Sequence, residues 1–189
     1  MKNERSTLLI AEIAIMASLA VILDLMTLLR FWPQGGSVSL AMVPILIMAF
    51  RRGVKAGVFT GLIFGAINMM YNPFIVHWLQ ALLDYPIAFA VVGLAGIFAI
   101  NGNQTNRRKT MMIVFGVFLG VALRFVAHFT AGVIWFGEFA PEGTPVAAYA
   151  FMYNISYLFP SLLVCLAIVI ILSNASKKII QPSLSYRIG

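Results

Sequence analysis

The sequence is poor in charged residues. Only 10% of its 189 residues are Asp, Glu, Lys or Arg, whereas 61% are hydrophobic. A soluble globular domain is about one quarter charged and less than half apolar. The composition therefore excludes an ordinary soluble protein and predicts an all-α integral membrane protein. The length fits one transmembrane domain over residues 1–189, with no separate soluble domain.

Residues and motifs for catalysis, metal binding and redox chemistry are also scarce. The single cysteine, Cys165, cannot form an intramolecular disulfide. There is no G-x-x-x-x-G-K-[ST] loop for ATP hydrolysis and no H-E-x-x-H motif. His77 and His128 lack the spacing of metal ligands. We therefore expect no metal, no cofactor and no enzymatic activity.

Six apolar stretches predict membrane-spanning helices. They cover residues 7–29, 37–50, 54–70, 74–100, 110–134 and 145–173. A helix needs about 20 residues to cross the hydrocarbon of a bilayer. The second stretch is short for a full span, so it is either little tilted or begins in an ordered loop buried against its neighbours.

The basic residues predict the orientation of these helices. They cluster at Lys2 and Arg5, and within residues 51–55, 107–109 and 177–187. With six spans, 11 of the 13 basic residues lie on one side of the membrane. The positive-inside rule then places both termini in the cytoplasm. Short basic clusters between apolar stretches indicate membrane topology, so a net charge of +7 predicts contact with a lipid bilayer and no nucleic-acid partner.

Polar residues concentrate in one stretch of the chain. Residues 124–154 read RFVAHFTAGVIWFGEFAPEGTPVAAYAFMYN. Polar groups at membrane depth are energetically expensive and usually functional. We therefore expect a binding site where the predicted fifth helix ends and the sixth begins, with Asp84 and Tyr85 of the fourth helix as its partners.

Asp84 admits two interpretations. It could be a buried acid that pairs with Arg124 and has only a structural role. It could instead face a cationic ligand or the polar edge of a ligand, because a low dielectric strengthens such an attraction. Both interpretations hold if Arg124 orients Asp84 in the empty site.

His128, Gly132 and Trp135 fall near the outer end of the fifth helix. An imidazole, the gap beside a glycine and an indole face together form a slot for a flat ring. Trp135 could instead belong to the aromatic belt that collects at membrane interfaces. The same alternatives apply to Trp32, in the loop Trp32-Pro-Gln-Gly-Gly-Ser37.

Tyr149 and Asn154 are polar candidates at the start of the sixth helix. Their spacing of five places them about 140° apart around a regular helix. Both reach one ligand only if it lies over the helix end or if the turn is irregular. An Asn amide there would donate to and accept from the edge of a heterocycle.

Small residues recur on the first helix at Ala11, Ala14 and Ser18. Such a stripe lets another helix approach closely. Packing inside the protein and contact with a partner protein are both consistent with it.

Three sequence elements together resemble the thiamine-specific substrate-binding (S) component of energy-coupling factor (ECF) transporters. They are Trp32-Pro-Gln-Gly-Gly-Ser-Val-Ser-Leu-Ala-Met-Val-Pro44, Leu83-Asp84-Tyr85-Pro86 and the series Arg124-Phe-x-x-His128…Gly132…Trp135…Tyr149…Asn154. The resemblance implies a multi-pass protein of the bacterial cell membrane that binds thiamine with high affinity near the outer face. It also implies a partner, an energy-coupling module of one transmembrane protein and two ATPases.

The resemblance assigns roles to individual residues. It implies thiamine contacts for Asp84, Tyr85, His128, Trp135, Tyr149 and Asn154, with Gly132 close by. Phe136 is the alternative to Trp135 for stacking on the ligand. The loop that contains Trp32 is the expected gate over the site. Ala14 and Ser18 are the expected contact with the coupling module.

Thiamine has a cationic thiazolium ring and a flat aminopyrimidine ring, which suit a carboxylate and aromatic faces. Only Arg30 is available for a diphosphate on the outer side, so we expect free thiamine to be the main ligand. Three alternatives stay open. They are another flat vitamin or precursor such as hydroxymethylpyrimidine, a membrane enzyme that uses Asp84 and His128 as acid and base, and a structural subunit without a ligand.

Overall fold

A computed structural model of the protein describes residues 2–27, 31–100 and 104–180. The helices are α1 (Lys2–Leu25), α2 (Met42–Arg52), α3 (Val54–Tyr71), α4 (Trp78–Phe98), α5 (Asn106–Trp135), α6 (Val146–Ala175) and the short α7 (Lys177–Ile180). A single 3₁₀ turn, Gly137–Phe139, lies between α5 and α6. Arg30, Arg187 and the predicted end of the first span at residue 29 lie outside the described residues.

Five of the described helices are long and apolar enough to cross a membrane. They are Ser6–Leu25 within α1, and the whole of α3, α4, α5 and α6. The shortest has 18 residues and the two longest have 30. A rise of 1.5 Å per residue makes a 20-residue helix about 30 Å long, which is the thickness of the hydrocarbon layer. This agrees with the all-helical membrane class predicted from composition.

Helix α2 differs from the predicted second span over residues 37–50. It begins at Met42, ends at Arg52 and has 11 residues, so it is about 16 Å long. Its first nine residues are all buried, and it contacts every other helix in the described parts of the chain. Residues 37–41 are non-helical, and the Ser39 hydroxyl there accepts the Ala41 N–H at 3.3 Å. Helix α2 is therefore the centre of the bundle.

Helices α3 and α4 approach each other at backbone distance. Gly57, Gly61 and Gly65 recur every four residues and form one face of α3. A Cβ at Gly61 would lie 2.1 Å from the carbonyl oxygen of Phe89, and one at Gly65 would lie 2.5 Å from that of Tyr85. Small residues allow this close packing between membrane helices. The contact fixes the part of α4 that carries Asp84 and Tyr85.

Helix α4 begins later than the predicted span at residue 74. The segment 72–77 is not helical, and His77 is the N-cap of α4, its Nδ1 accepting the Leu79 N–H at 3.1 Å. Inside α4, the segment Leu83–Ile87 is a π-helical turn that contains Pro86. Proline has no N–H for the helical ladder, and π turns are frequent at functional sites.

An ion pair joins α1 to α2 toward the end of the bundle that is opposite the C-terminus of α1. The Glu12 carboxylate accepts from Arg52 Nε at 2.7 Å and from Arg52 Nη2 at 2.8 Å. Arg51 Nη2 donates to the same carboxylate at 3.3 Å, and its Nη1 donates to the carbonyl of Ile179 in α7 at 3.3 Å. These contacts hold α1, α2 and α7 together at one end.

Candidate ligand-binding site

A cavity lies at the opposite end of the bundle, where α1, α3 and α5 end and where α4 and α6 begin. It encloses about 770 Å³ of empty space, part of which is continuous with the solvent. The walls are polar and aromatic, formed by Asp24, Gln34, Gly35, Gly36, Ser37, Asn68, Asn72, Phe74, Asp84, Tyr85, Phe89, Arg124, His128, Gly132, Phe136, Tyr149, Ala150, Tyr153, Asn154 and Tyr157.

Asp84 and His128 form a hydrogen-bonded pair in this cavity. The Oδ1 atom of Asp84 lies 2.8 Å from Nδ1 of His128, and its Oδ2 accepts from Gln80 Nε2 at 2.7 Å. The two side chains are 13% and 11% exposed. Each carboxylate oxygen can accept a second hydrogen bond, so Asp84 retains acceptor capacity toward the cavity.

Arg124 reaches Asp84 only through His128. Its Nε donates to Nε2 of His128 at 3.1 Å, and its guanidinium carbon lies 4.1 Å from the centre of the Phe89 ring. One interpretation of the sequence was a direct pairing of Asp84 with Arg124. In the structure, Arg124 instead contacts His128, and His128 contacts Asp84; we call this arrangement the relay. Because arginine can only donate, Nε2 accepts and the proton of a neutral imidazole lies on Nδ1, facing Asp84.

Asp24 supplies a second carboxylate to the cavity, which the sequence analysis did not include. It is 4% exposed, and its Oδ2 accepts from Asn68 Nδ2 at 2.9 Å and from the Tyr71 hydroxyl at 2.8 Å. The signal in the sequence is an acid within an apolar stretch, the same signal that identified Asp84. Asn68 is a further cavity residue that the sequence analysis missed.

Gly132 and the start of α6 form another wall. A Cβ at Gly132 would lie 2.9 Å from that of Ala150 and 3.4 Å from Asn154 Nδ2, so the glycine lets α5 and α6 meet. The Asn154 amide donates to the Ala150 carbonyl at 2.8 Å and accepts from the Tyr157 hydroxyl at 2.7 Å. Tyr149 and Asn154 both line the cavity despite their spacing of five.

Tyr85 lines the cavity, but its hydroxyl group is engaged by the segment before α4. That hydroxyl accepts the Phe74 N–H at 2.6 Å and donates to the Asn72 carbonyl at 3.1 Å. Tyr85 therefore holds the connection between α3 and α4 in place, and its ring is what remains available to a ligand.

The aromatic side chains divide between the cavity and its surroundings. Phe136 lines the cavity, and its ring centre lies 5.9 Å from that of Phe74. Trp135 is not among the described residues that line it. Its ring is stacked on His77, with centres 5.4 Å apart and planes at 18°. Phe136, the alternative to Trp135 for stacking on the ligand, is thus the one of the two that lines the cavity.

A non-helical loop over residues 32–37 covers one side of the cavity. Trp32 Nε1 donates to the Ser156 hydroxyl at 2.7 Å, and the Gln34 N–H donates to the Tyr153 hydroxyl at 3.1 Å. Gly35 has a φ of +90°, a left-handed conformation that favours glycine. Trp32 itself is outside the lining and tethers the loop to α6, whereas Gln34 to Ser37 line the cavity.

The chain matches the family model described as thiamine transporter protein (Thia_YuaJ) over residues 10–181. The thiamine transporter ThiT of Bacillus subtilis (strain 168) is 40% identical over 188 residues, which cover 96% of this chain and 98% of that protein. ThiT of Lacticaseibacillus paracasei is 28% identical, with coverage of 94% and 92%.

Solved structures share the same architecture. ThiT from Listeria monocytogenes superposes with a TM-score of 0.84 at 26% identity, covering 94% of this chain and 99% of that one. The S component of a bacterial ECF transporter superposes with a TM-score of 0.62 at 14% identity, covering 93% and 96%, and this likeness shows the fold alone. The family match and the relative at 40% identity, each extending over nearly the whole chain, establish that the protein belongs to the thiamine transporter family.

Proposed function

We propose that this protein is the thiamine-binding membrane subunit of an ECF-type importer, which captures thiamine outside the cell and catalyses no reaction itself. One observation carries the proposal. In a chain of the thiamine transporter family, the Asp84 carboxylate is held by His128 and Gln80 inside a cavity with aromatic walls. A carboxylate sheltered from water attracts a cationic ring far more strongly than one in solution.

The charges of the cavity suit a cation. Asp24 and Asp84 contribute two carboxylates, and Arg124 contributes one guanidinium group. The guanidinium lies against the Phe89 ring and donates to His128, so it is occupied on two sides. The carboxylate of Asp84 keeps acceptor capacity for the amino group of the pyrimidine ring, and its charge favours the thiazolium ring.

The ligand contacts follow from the cavity walls. We assign Asp84, His128, Tyr149 and Asn154 to the polar edge of thiamine, and Gly132 to the space that the rings need. The ring of Tyr85 and the ring of Phe136 are the aromatic faces. Trp135, predicted from the sequence as the stacking residue, acts in this assignment through its contact with His77 at the rim. Trp32 holds the covering loop through Ser156.

The orientation in the membrane follows from the charges. Arg51, Arg52 and Lys109 lie at the end of the bundle away from the cavity. The positive-inside rule assigns this end to the cytoplasm, together with both termini, and assigns the cavity to the outer face. The short α2 and the loop before it then count as the second of six passes, buried among the five long helices.

Energy for transport comes from a separate module in this proposal. The sequence has no ATP-binding loop, and the chain shares its fold with the S component of a bacterial ECF transporter. On α1, Ala11, Ala14 and Ser18 are exposed, whereas Ala17 and Ala20 on another face are buried. Exposure of the small residues supports a contact with the coupling protein at Ala14 and Ser18 over packing inside the subunit.

Titration of the purified protein with thiamine, followed by intrinsic tryptophan fluorescence, tests the proposal. We expect saturable quenching in the sub-micromolar range. Asp84→Asn should weaken binding about 30-fold or more, because a charged hydrogen-bond partner contributes about 2–3 kcal/mol. The matched control is Glu138→Gln, an exposed acid outside the cavity lining. Equal binding by Asp84→Asn and the control would remove Asp84 from the site.

Competition experiments separate the rival functions. If hydroxymethylpyrimidine displaces labelled thiamine as well as thiamine does, the site recognises the pyrimidine half alone. If Asp84 and His128 act as acid and base on the ligand, the compound released after binding is chemically altered. Recovery of unchanged thiamine by mass spectrometry agrees with a binding subunit.

A further inference from the structure

One side-chain oxygen at the cavity has no hydrogen-bond partner. Among the described residues, Gln34 Oε1 is one of two buried side-chain polar atoms without a partner, the other being Gln104 Oε1. An unpaired buried acceptor destabilises a protein and calls for an explanation, such as a hydrogen bond that forms when a ligand binds. Gln34 belongs to the covering loop and lines the cavity, which makes a ligand donor the natural partner.

The main chain of Gln34 is already fixed to the cavity wall. Its N–H donates to the Tyr153 hydroxyl of α6 at 3.1 Å, and Trp32 of the same loop donates to Ser156 at 2.7 Å. The neighbouring Gly36 is packed so closely against Tyr157 that a Cβ would lie 2.8 Å from the tyrosine ring. The main chain that carries the Gln34 side chain is therefore held in place before a ligand binds, so this part of the loop needs little ordering on binding.

We propose that Gln34 is a specificity-determining residue whose Oε1 accepts a hydrogen bond from the hydroxyl group of thiamine. This inference rests on the proposed function, thiamine binding. Thiamine carries two kinds of donor, the amino group of the pyrimidine and the hydroxyl of the hydroxyethyl arm. The amino group suits the charged acceptor Asp84. The neutral acceptor on the covering loop, Gln34 Oε1, is then available to the hydroxyl group at the opposite end of the ligand.

This contact gives the site selectivity for the free alcohol. A phosphate ester has no hydroxyl proton at that position and brings negative charge toward the Gln34 carbonyl oxygen. Sites that present a buried acceptor to a hydroxyl group reject ligands that lack it, because the acceptor is then left unpaired. The same hydrogen bond ties the loop to the bound ligand and so slows its release.

The test compares Gln34→Met with wild type, because methionine keeps a similar volume without the amide. Gln34→Leu is the second variant, and Gln104→Met is the matched control, since it removes the other unpaired oxygen, which lies outside the cavity lining. The ligands are thiamine, its monophosphate, and an analogue with ethyl in place of hydroxyethyl. Affinity is measured by calorimetry, and release rates by stopped-flow.

We expect Gln34→Met to weaken thiamine binding about fivefold to tenfold, because one hydrogen bond usually contributes a net free energy of that size. Most of the change should appear as faster release. The deoxy analogue should bind the variant and wild type equally, and the preference for thiamine over its monophosphate should shrink. The melting temperature of the empty protein should not fall, whereas a purely structural glutamine would lower it.

Two results would overturn the inference. One is unchanged thiamine affinity in Gln34→Met and Gln34→Leu. The other is an equal loss for thiamine and the deoxy analogue, which removes the hydroxyl contact. Either leaves thiamine binding by wild type intact, so failure here is distinct from failure of the proposed function, in which wild type binds no thiamine.

Discussion

The Nδ1 atom of His128 lies 2.8 Å from Oδ1 of Asp84, with Arg124 bound to the opposite nitrogen of the imidazole at 3.1 Å. The relay orders three polar side chains from α4 and α5 without a direct contact between the acid and the arginine. Because of this relay, the Asp84 carboxylate is held in one orientation toward the cavity by the neutral imidazole of His128, which donates to it.

Removing the imidazole should weaken both the fold and the site. His128→Phe leaves Asp84 with one fewer donor and leaves the Arg124 Nε–H without its acceptor, at a cost of about 1–3 kcal/mol for each buried group. We expect a lower melting temperature and at least tenfold weaker thiamine binding. Thermal unfolding in detergent and calorimetry measure the two effects. Glu138→Gln is the control, since Glu138 is exposed and lies outside the cavity lining. Wild-type behaviour of His128→Phe would show that the relay is dispensable.

Phe136→Ala and Trp135→Ala decide which neighbour stacks on thiamine. Phe136 lines the cavity, whereas Trp135 stacks on His77. We expect Phe136→Ala to weaken binding at least tenfold, because an aromatic face on a cation contributes about 0.5–2 kcal/mol in addition to buried area. Trp135→Ala should have a smaller effect. Calorimetry is the suitable readout because tryptophan is itself replaced. A larger loss of thiamine affinity in Trp135→Ala than in Phe136→Ala would instead support Trp135 as the stacking residue, as the sequence predicted.

Gly61→Ala should disrupt the packing that positions Asp84. Its added Cβ would lie 2.1 Å from the carbonyl oxygen of Phe89, which is backbone and cannot rotate away. Overpacking of this kind costs about 1–3 kcal/mol or more. We expect a clear fall in the melting temperature and weaker thiamine binding. Ala66→Leu, on the exposed face of the same helix, is the control and should change neither. An unchanged melting temperature in Gly61→Ala would contradict the backbone contact between α3 and α4.

The exposed small residues of α1 should matter for transport and not for binding. Ala14→Trp together with Ser18→Trp fills the face that we assign to the coupling protein. We expect wild-type thiamine affinity in the isolated subunit and at least tenfold lower uptake in cells that carry the energy-coupling module. Phe118→Trp, an exposed position on α5, is the control. Normal uptake by the double variant would place the coupling contact elsewhere.

The sequence determined the class of the protein and much of the cavity's composition. Long apolar stretches require helices in a bilayer, because backbone groups find no water there. Acids and a histidine inside such stretches stand out against the apolar background, which is why Asp84 and His128 could be predicted. The same reasoning applied to Asp24 would have found it, since it lies in an equally apolar stretch.

The tertiary structure alone decided which faces of the helices meet. In a soluble helix the apolar face marks the core, but in a membrane helix lipid and core are both apolar, so the pattern does not orient the helix. One residue turns a helix by about 100°, which separates Phe136 at the cavity from Trp135 on His77. The burial of α2 and the unpaired oxygen of Gln34 likewise depend on contacts between segments that are distant in the chain, and no local pattern specifies them.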